Sequence, residues 1–144
     1  MWHFARILSK RRTTSIPAIP ILCLIGEETD RSLIASLCLR HQWGVSFSGN
    51  RAEAERMLHQ LTPQIMLFDR DIAGQEWREF VAGFAAVSPG GCIMLLSKVI
   101  DDNLWNDLVA NGGYEVLRKP LREDEVARAV RMARSYWSST VKVK

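Results

Sequence analysis

Short apolar runs alternate with amphipathic stretches from Ile21 to Trp137. "ILCLI" (21–25), "GVSF" (44–47), "QIMLFD" (64–69), "CIMLLS" (92–97) and "YEVLRK" (114–119) read as five strands. The stretches between them carry apolar residues at helical spacing. "DRSLIASLCLRHQ" places Leu33, Ile34, Leu37 and Cys38 on one face. "NRAEAERMLHQL" has Asn50 and Glu53 at capping-box spacing, ahead of a stripe of Ala54, Met57, Leu58 and Leu61. "EWREFVAGFAAV" turns Trp77, Phe80, Val81 and Phe84 inward. "DDNLWNDLVANGG" opens on two acidic caps and ends on a glycine pair, and "LREDEVARAVRMARSYW" spaces Val126, Val130, Ala133 and Trp137 along one side.

Five apolar strands alternating with five helices predict an α/β domain with a parallel sheet covered on both faces. Right-handed crossovers and short loops make the doubly wound arrangement the expected one, with functional groups at the carboxyl ends of the strands. The third run sharpens that expectation. In "IMLFDRDIAG" four apolar residues lead straight into Asp69, and a buried carboxylate costs several kcal/mol unless it is paired or coordinated. Asp69 therefore either stands at a strand tip that faces a site or marks a strand that ends before it, with its carboxylate capping the turn.

The strand ends together supply Gly26, Glu27 and Glu28 after the first, Asp69 on the third, Ser97 on the fourth and Lys119, followed by Pro120, on the fifth. Carboxylates, a hydroxyl and an ammonium at one sheet edge suit a divalent cation and a phosphoryl group. Oxygen ligands with open water positions favour magnesium. An ionised carboxylate can attack a phosphoryl donor to give an acyl phosphate, while a lysine and a hydroxyl stabilise the phosphoryl oxygens.

Composition narrows the setting. A chain of 144 residues with 47% apolar content fits one ordinary domain. The net charge of +3 is mild, and much of its positive surplus lies in "SKRR" and "VKVK" near the ends, so direct nucleic-acid binding is not expected. The three cysteines, Cys23, Cys38 and Cys92, lie far apart in apolar runs, which predicts buried thiols in a reducing, cytoplasmic setting. No stretch is long enough to span a membrane, and "MWHFARILSKRR" lacks the order of a secretory signal. Residues 1–19 read as a basic extension closed by the stiff "SIPAIP", residues 20–138 as the domain and 139–144 as a C-terminal tail.

The ordered set "IMLFD", "IMLLS" and "GGYEVLRKP" resembles the receiver domain of two-component response regulators over residues 20–137. The resemblance implies a flavodoxin-like fold in which a histidine kinase or phosphotransfer protein donates a phosphoryl group to an aspartate, with Mg2+ bound beside it. By position, Asp69 would be the phosphoacceptor, Ser97 the switch hydroxyl and Lys119 the phosphate-binding lysine. Glu27, Asp69 and the backbone carbonyl of Asp71 would be the metal ligands. The Lys119–Pro120 bond is expected to be cis.

The departures are as specific as the matches. Where the family carries two adjacent acids after the first strand, Gly26 and Glu27 stand here, so one ligand is missing; Glu28 or the Asp71 side chain are the candidates to compensate. "RDIAG" replaces the usual Met-Pro-Gly loop and sets Arg70 and Asp71 beside the acceptor. The aromatic switch position is Val116; Tyr114, two residues earlier, is expected on the same side of the strand. Lys98 replaces a small residue after Ser97, where it would screen or crowd the phosphoryl group.

Two functions follow from this reading. The chain is expected to be a single-domain receiver, a phosphoacceptor rather than an enzyme, which offers its fourth helix, fifth strand and fifth helix to a protein partner or to its own twin. The alternative is a pseudo-receiver, an interaction module in which Asp69 is never modified.

Overall fold

The computed structural model describes residues 19–143. The extension expected over 1–19 therefore lies outside the described residues except for Ile19, which is buried against the core beside the first strand. The elements are β1 (Pro20–Leu24), α1 (Glu28–His41), β2 (Gly44–Ser48), α2 (Arg51–Leu61), β3 (Ile65–Asp69), α3 (Trp77–Val87), β4 (Cys92–Ser97), α4 (Asp102–Ala110), β5 (Glu115–Arg118) and α5 (Glu123–Val143). A helical turn, Arg70–Ala73, and a 3-10 turn, Gly74–Glu76, link β3 to α3.

All strand pairings are parallel, and the order is β2-β1-β3-β4-β5. This is the expected doubly wound sheet. Strand side chains alternate between its faces and so divide the interior in two. Ile21, Cys23, Ile65, Leu67 and Met94 meet Ile34, Leu37 and Cys38 of α1 and Val126, Val130 and Ala133 of α5. Leu22, Leu24, Met66, Phe68, Ile93 and Leu95 meet Ala54 and Leu58 of α2, Trp77, Phe80, Val81 and Phe84 of α3, and Leu104 and Leu108 of α4. Phe68 sits at the centre of the second layer, stacked on Phe80 at 4.8 Å and edge-on to Phe84 at 4.8 Å. The three cysteines are free and buried, and burial pushes the Cys38 and Cys92 thiols up to about 11.

Helix boundaries follow the capping residues. Asn50 Oδ1 accepts from Glu53 N at 2.9 Å, and Glu53 reaches back to Gly49 N at 2.7 Å. Asp101 Oδ1 accepts from both Asn103 N and Leu104 N and so starts α4. Three local expectations change. The segment after Asp69, expected as an open loop, winds directly into a helical turn because Asp69 Oδ1 caps it by accepting from Asp71 N at 2.9 Å. Helix α5 continues to Val143, through residues expected as a tail; the side chain of Trp137 lies outside the described residues. Tyr114 precedes β5 and escapes its alternation: it packs with the α1–α5 layer, 5.6 Å from the Tyr136 ring, whereas Val116 faces the opposite layer.

Candidate functional site

In the strand order, β1 lies between β2 and β3, so the chain changes direction of travel across the sheet between β1 and β3 and opens a crevice at their carboxyl ends. Leu24 of β1 pairs with Phe68 of β3, which brings Glu27, just beyond β1, close to Asp69. Asp69 in turn pairs with Leu96 of β4, leaving Ser97 at the next position. The backbone N–H of Lys119 donates to the Ser97 carbonyl at 2.9 Å, so β5 delivers its lysine to the same edge. The Lys119–Pro120 bond is cis, as expected.

Lys119 is the hub. Its Nζ donates to Asp69 Oδ2 at 2.7 Å and stands 2.9 Å from Glu27 Oε1 and 3.1 Å from Asp30 Oδ2. Asp30, Asp69 and Lys119 are all buried, whereas the Glu27 carboxylate is half exposed. Burial acts to lower the Lys119 pKa, but the hydrogen bond to Asp69 and the adjacent Glu27 and Asp30 carboxylates outweigh it and hold the ammonium well above its ordinary value. The hydrogen bond with Lys119 pulls Glu27 below the usual carboxylate range. Asp30 moves the other way: burial raises its pKa, and the neighbouring Glu27 charge adds to the rise. The cleft above these groups encloses about 640 Å³ and is lined by Glu27, Glu28, Thr29, Asp30, Lys98, Lys119 and Pro120.

Carboxylate oxygens of Glu27, Asp30 and Asp69 all lie within 4.8 Å of one another. The contact of Lys119 Nζ with Asp30 Oδ2 lacks hydrogen-bond geometry, so that buried oxygen has no hydrogen-bond partner among the described residues. A buried, unsatisfied carboxylate oxygen in a set of hard oxygen donors is what a divalent cation would complete. The donor set thus fits a receiver metal site, but its membership differs from the expected one. The third side chain is Asp30, from the first turn of α1, in addition to Glu27 and Asp69.

The candidates to compensate for the missing acid fall outside this carboxylate set, although Glu28 lines the cleft. Glu28 accepts from Ser32 Oγ at 3.3 Å on the exposed side of α1. The Asp71 side chain is exposed and lines a separate hollow with Arg70, Trp77 and Arg78; its contribution at Asp69 is the backbone N–H. The Asp71 carbonyl, expected as a metal ligand, belongs to the Arg70–Ala73 turn. Asp30 carries a sequence signal after all: Glu27 is the N-cap residue of α1 and Asp30 lies three positions on, a spacing that returns both side chains to one side of the first turn.

Ser97 is buried at the end of β4, yet its hydroxyl is turned toward its own loop, donating to the Val99 carbonyl at 2.6 Å. Arg70 Nη1 reaches the same Ser97 Oγ at 3.3 Å. Lys98 points toward the cluster, with Nζ 3.9 Å from Glu27 Oε2, and remains largely exposed. The edge therefore gathers Asp69, Lys119 and Glu27 as expected, adds Asp30, and leaves Ser97 adjacent with its hydroxyl engaged.

No family model and no curated protein matches the sequence. Solved structures do match its fold. A response regulator from Thermotoga maritima superposes with a TM-score of 0.77 at 18% identity, covering 83% of this chain and 99% of the other. A CheY-like response regulator receiver domain protein from Methanospirillum hungatei JF-1 gives a TM-score of 0.78 at 11% identity over 86% and 99% of the two chains. The chemotaxis response regulator CheY4 of Vibrio cholerae gives 0.74 at 13% identity over 81% and 99%. At these identities the likeness is one of architecture, and it spans nearly all of each neighbour. The chain has the flavodoxin-like, CheY-like fold of response regulator receiver domains.

Proposed function

We propose that this chain is a phosphoacceptor receiver module. The observation that carries this reading is Asp69 itself: a carboxylate buried at the tip of a central strand, gripped by Lys119 and flanked by Glu27 and Asp30. One Asp69 oxygen attacks the phosphorus of a phosphohistidine on a histidine kinase or phosphotransfer protein. An O–P bond forms and the N–P bond breaks, its electron pair returning to the imidazole nitrogen, so Asp69 serves as acceptor and not as an enzyme's turnover group. Lys119 holds the carboxylate oriented and offers a positive charge to the incoming phosphoryl oxygens. Glu27, Asp30 and Asp69 would hold Mg2+, which when bound would further neutralise that charge.

The output surface in this reading is α4–β5–α5. Val99 and Trp105 near the start of α4, Val109 at its end and Met132 on α5 are exposed apolar side chains that suit a protein partner or a second copy. Among the described residues no helix is long and apolar enough to cross a membrane, which is compatible with the proposed cytoplasmic setting.

A second reading, an unphosphorylated pseudo-receiver, is favoured by Tyr114 and Val116 lying on opposite layers, which leaves no aromatic relay from site to surface. The two readings separate on the intact mass of the protein after incubation with acetyl phosphate and magnesium. The phosphoacceptor expects an adduct that is lost in Asp69→Asn and in metal-free buffer. A folded wild-type chain that gains no mass from acetyl phosphate or from a panel of phosphorylated kinases and phosphotransfer proteins supports the pseudo-receiver instead.

A further inference from the structure

Arg70 follows Asp69 directly and opens the helical turn after β3. Its guanidinium folds back over the neighbouring strand end. Nη1 stands 3.3 Å from Ser97 Oγ and 3.4 Å from the Val99 carbonyl, and Cζ lies 5.8 Å from the centre of the Trp77 ring. These partners are all neutral: a hydroxyl, a carbonyl and an indole. The Val99 carbonyl also accepts the Ser97 hydroxyl proton at 2.6 Å, so Arg70 and Ser97 converge on one oxygen and fix the loop that leads from β4 to α4. Asp69 and Ser97 end adjacent strands, with Asp69 paired to Leu96, so the guanidinium rests on the strand end next to the acceptor.

We propose that Arg70 binds the phosphoryl group carried by Asp69, and that in the unmodified chain it is parked on Ser97 and the Val99 carbonyl. The proposal rests on the phosphoacceptor reading. A planar guanidinium forms paired, charge-assisted hydrogen bonds with phosphoryl oxygens, roughly twice as strong as its contacts with neutral oxygens. Modification turns the singly charged Asp69 carboxylate into an acyl phosphate carrying close to two negative charges, near a cation whose partners among the described residues are neutral, and the balance moves toward the new anion. When Arg70 leaves, the Val99 carbonyl loses one of its two donors and Ser97 Oγ loses its incoming hydrogen bond. The hydroxyl is then free to rotate toward the phosphoryl group, and residues 98–101 are released from the end of β3. Arg70 thereby carries the coupling to α4 that Val116 has no aromatic ring to provide.

The test uses beryllofluoride, a phosphoryl mimic, with magnesium and the full chain. Its dissociation constant is measured for the wild type, Arg70→Ala and Arg70→Lys, alongside the Nε–Hε NMR signal of Arg70, assigned from its loss in Arg70→Lys. The expected result is affinity weakened on the order of tenfold or more in Arg70→Ala and to a lesser degree in Arg70→Lys, with the Arg70 signal displaced on binding. Should Arg70→Ala lose its native circular dichroism, Arg70→Gln, which keeps the side-chain stem against Trp77, gives the same comparison. Undiminished affinity in Arg70→Ala with an unmoved Arg70 signal overturns the proposal and leaves the phosphoacceptor reading standing. Failure of the wild type to bind beryllofluoride at all, with Asp69→Asn equally inert, overturns that reading and this proposal together.

Discussion

Lys119 Nζ and Asp69 Oδ2 stand 2.7 Å apart, and each side chain is only 3% exposed. The pair lies in the dry part of the site, where the removal of one partner leaves a charge without compensation. Lys119→Met strips the ammonium from Asp69, Asp30 and Glu27 together. The expected loss is about 3–5 kcal/mol of folding stability at neutral pH, read from urea denaturation. The deficit should shrink as acid protonates the carboxylates left behind. A variant as stable as the wild type at pH 7 would mean that water reaches Asp69 far more freely than its burial shows.

Asp30 gives the opposite result in the absence of metal. Burial raises its pKa, so the folded chain holds the Asp30 proton more tightly than the unfolded chain does. That contribution to stability is full below the ordinary aspartate value of about 3.9 and is lost as pH rises through the raised one. Asp30→Asn, which cannot ionise, should therefore be about 1 kcal/mol more stable than the wild type at pH 7, with the advantage closing in acid. Magnesium should reverse the order: the wild type gains thermal stability from the ion, and Asp30→Asn binds it on the order of tenfold more weakly. Equal magnesium-induced shifts in Tm for the two proteins would remove Asp30 from the metal site.

Most of the architecture could be read from the chain because apolar runs and helical stripes are long-range averages that one residue does not upset. "CIMLLS" became β4 without adjustment, and the α3 stripe of Trp77, Phe80, Val81 and Phe84 is buried as spaced. Asp69 and Lys119 were legible for a related reason: a charge at the end of a buried strand has few places to go. Asp30 was hidden because it looks like an ordinary first-turn acid of an amphipathic helix, and only the placement of α1 over β1 turns it inward. Tyr114 departs from the strand alternation because it precedes Glu115, the first residue of the strand that imposes it. The Ser97 rotamer and the Arg70 contact depend on the helical turn after Asp69, which no periodicity announces.

The aromatic group under the site gives a stability prediction independent of its chemistry. Phe80 stacks on Phe68 and meets Phe84 edge-on at 4.5 Å, and Arg51 lies over its ring at 4.9 Å. Phe80→Ala opens a cavity between β3 and α3 and should cost about 3–5 kcal/mol in chemical denaturation. Phe80→Leu, which keeps most of the volume, should lose considerably less. Equal losses in the two would show that ring stacking, not volume, holds this layer.

Gly112 ends α4 with φ +96, and a Cβ there would come 2.6 Å from Ala85 Cβ of α3. Both the left-handed backbone and the close approach oppose any side chain. Gly112→Ala should lower stability by about 2 kcal/mol, visible as a lower Tm, without altering the acid cluster. Retention of the wild-type Tm would require α3 and α4 to move apart freely.

Strand β5 closes one side of the sheet with only four residues, begins on Glu115 and ends on Arg118. Its outer backbone groups form a short, charged border, a poor template for another strand to extend. The apolar side chains beside it, Val99, Trp105 and Met132, belong to α4, its approach and α5 rather than to the strand. In the proposed function, a partner on this flank would engage by side-chain docking, whose affinity a shift of a helix can tune, rather than by growth of the sheet.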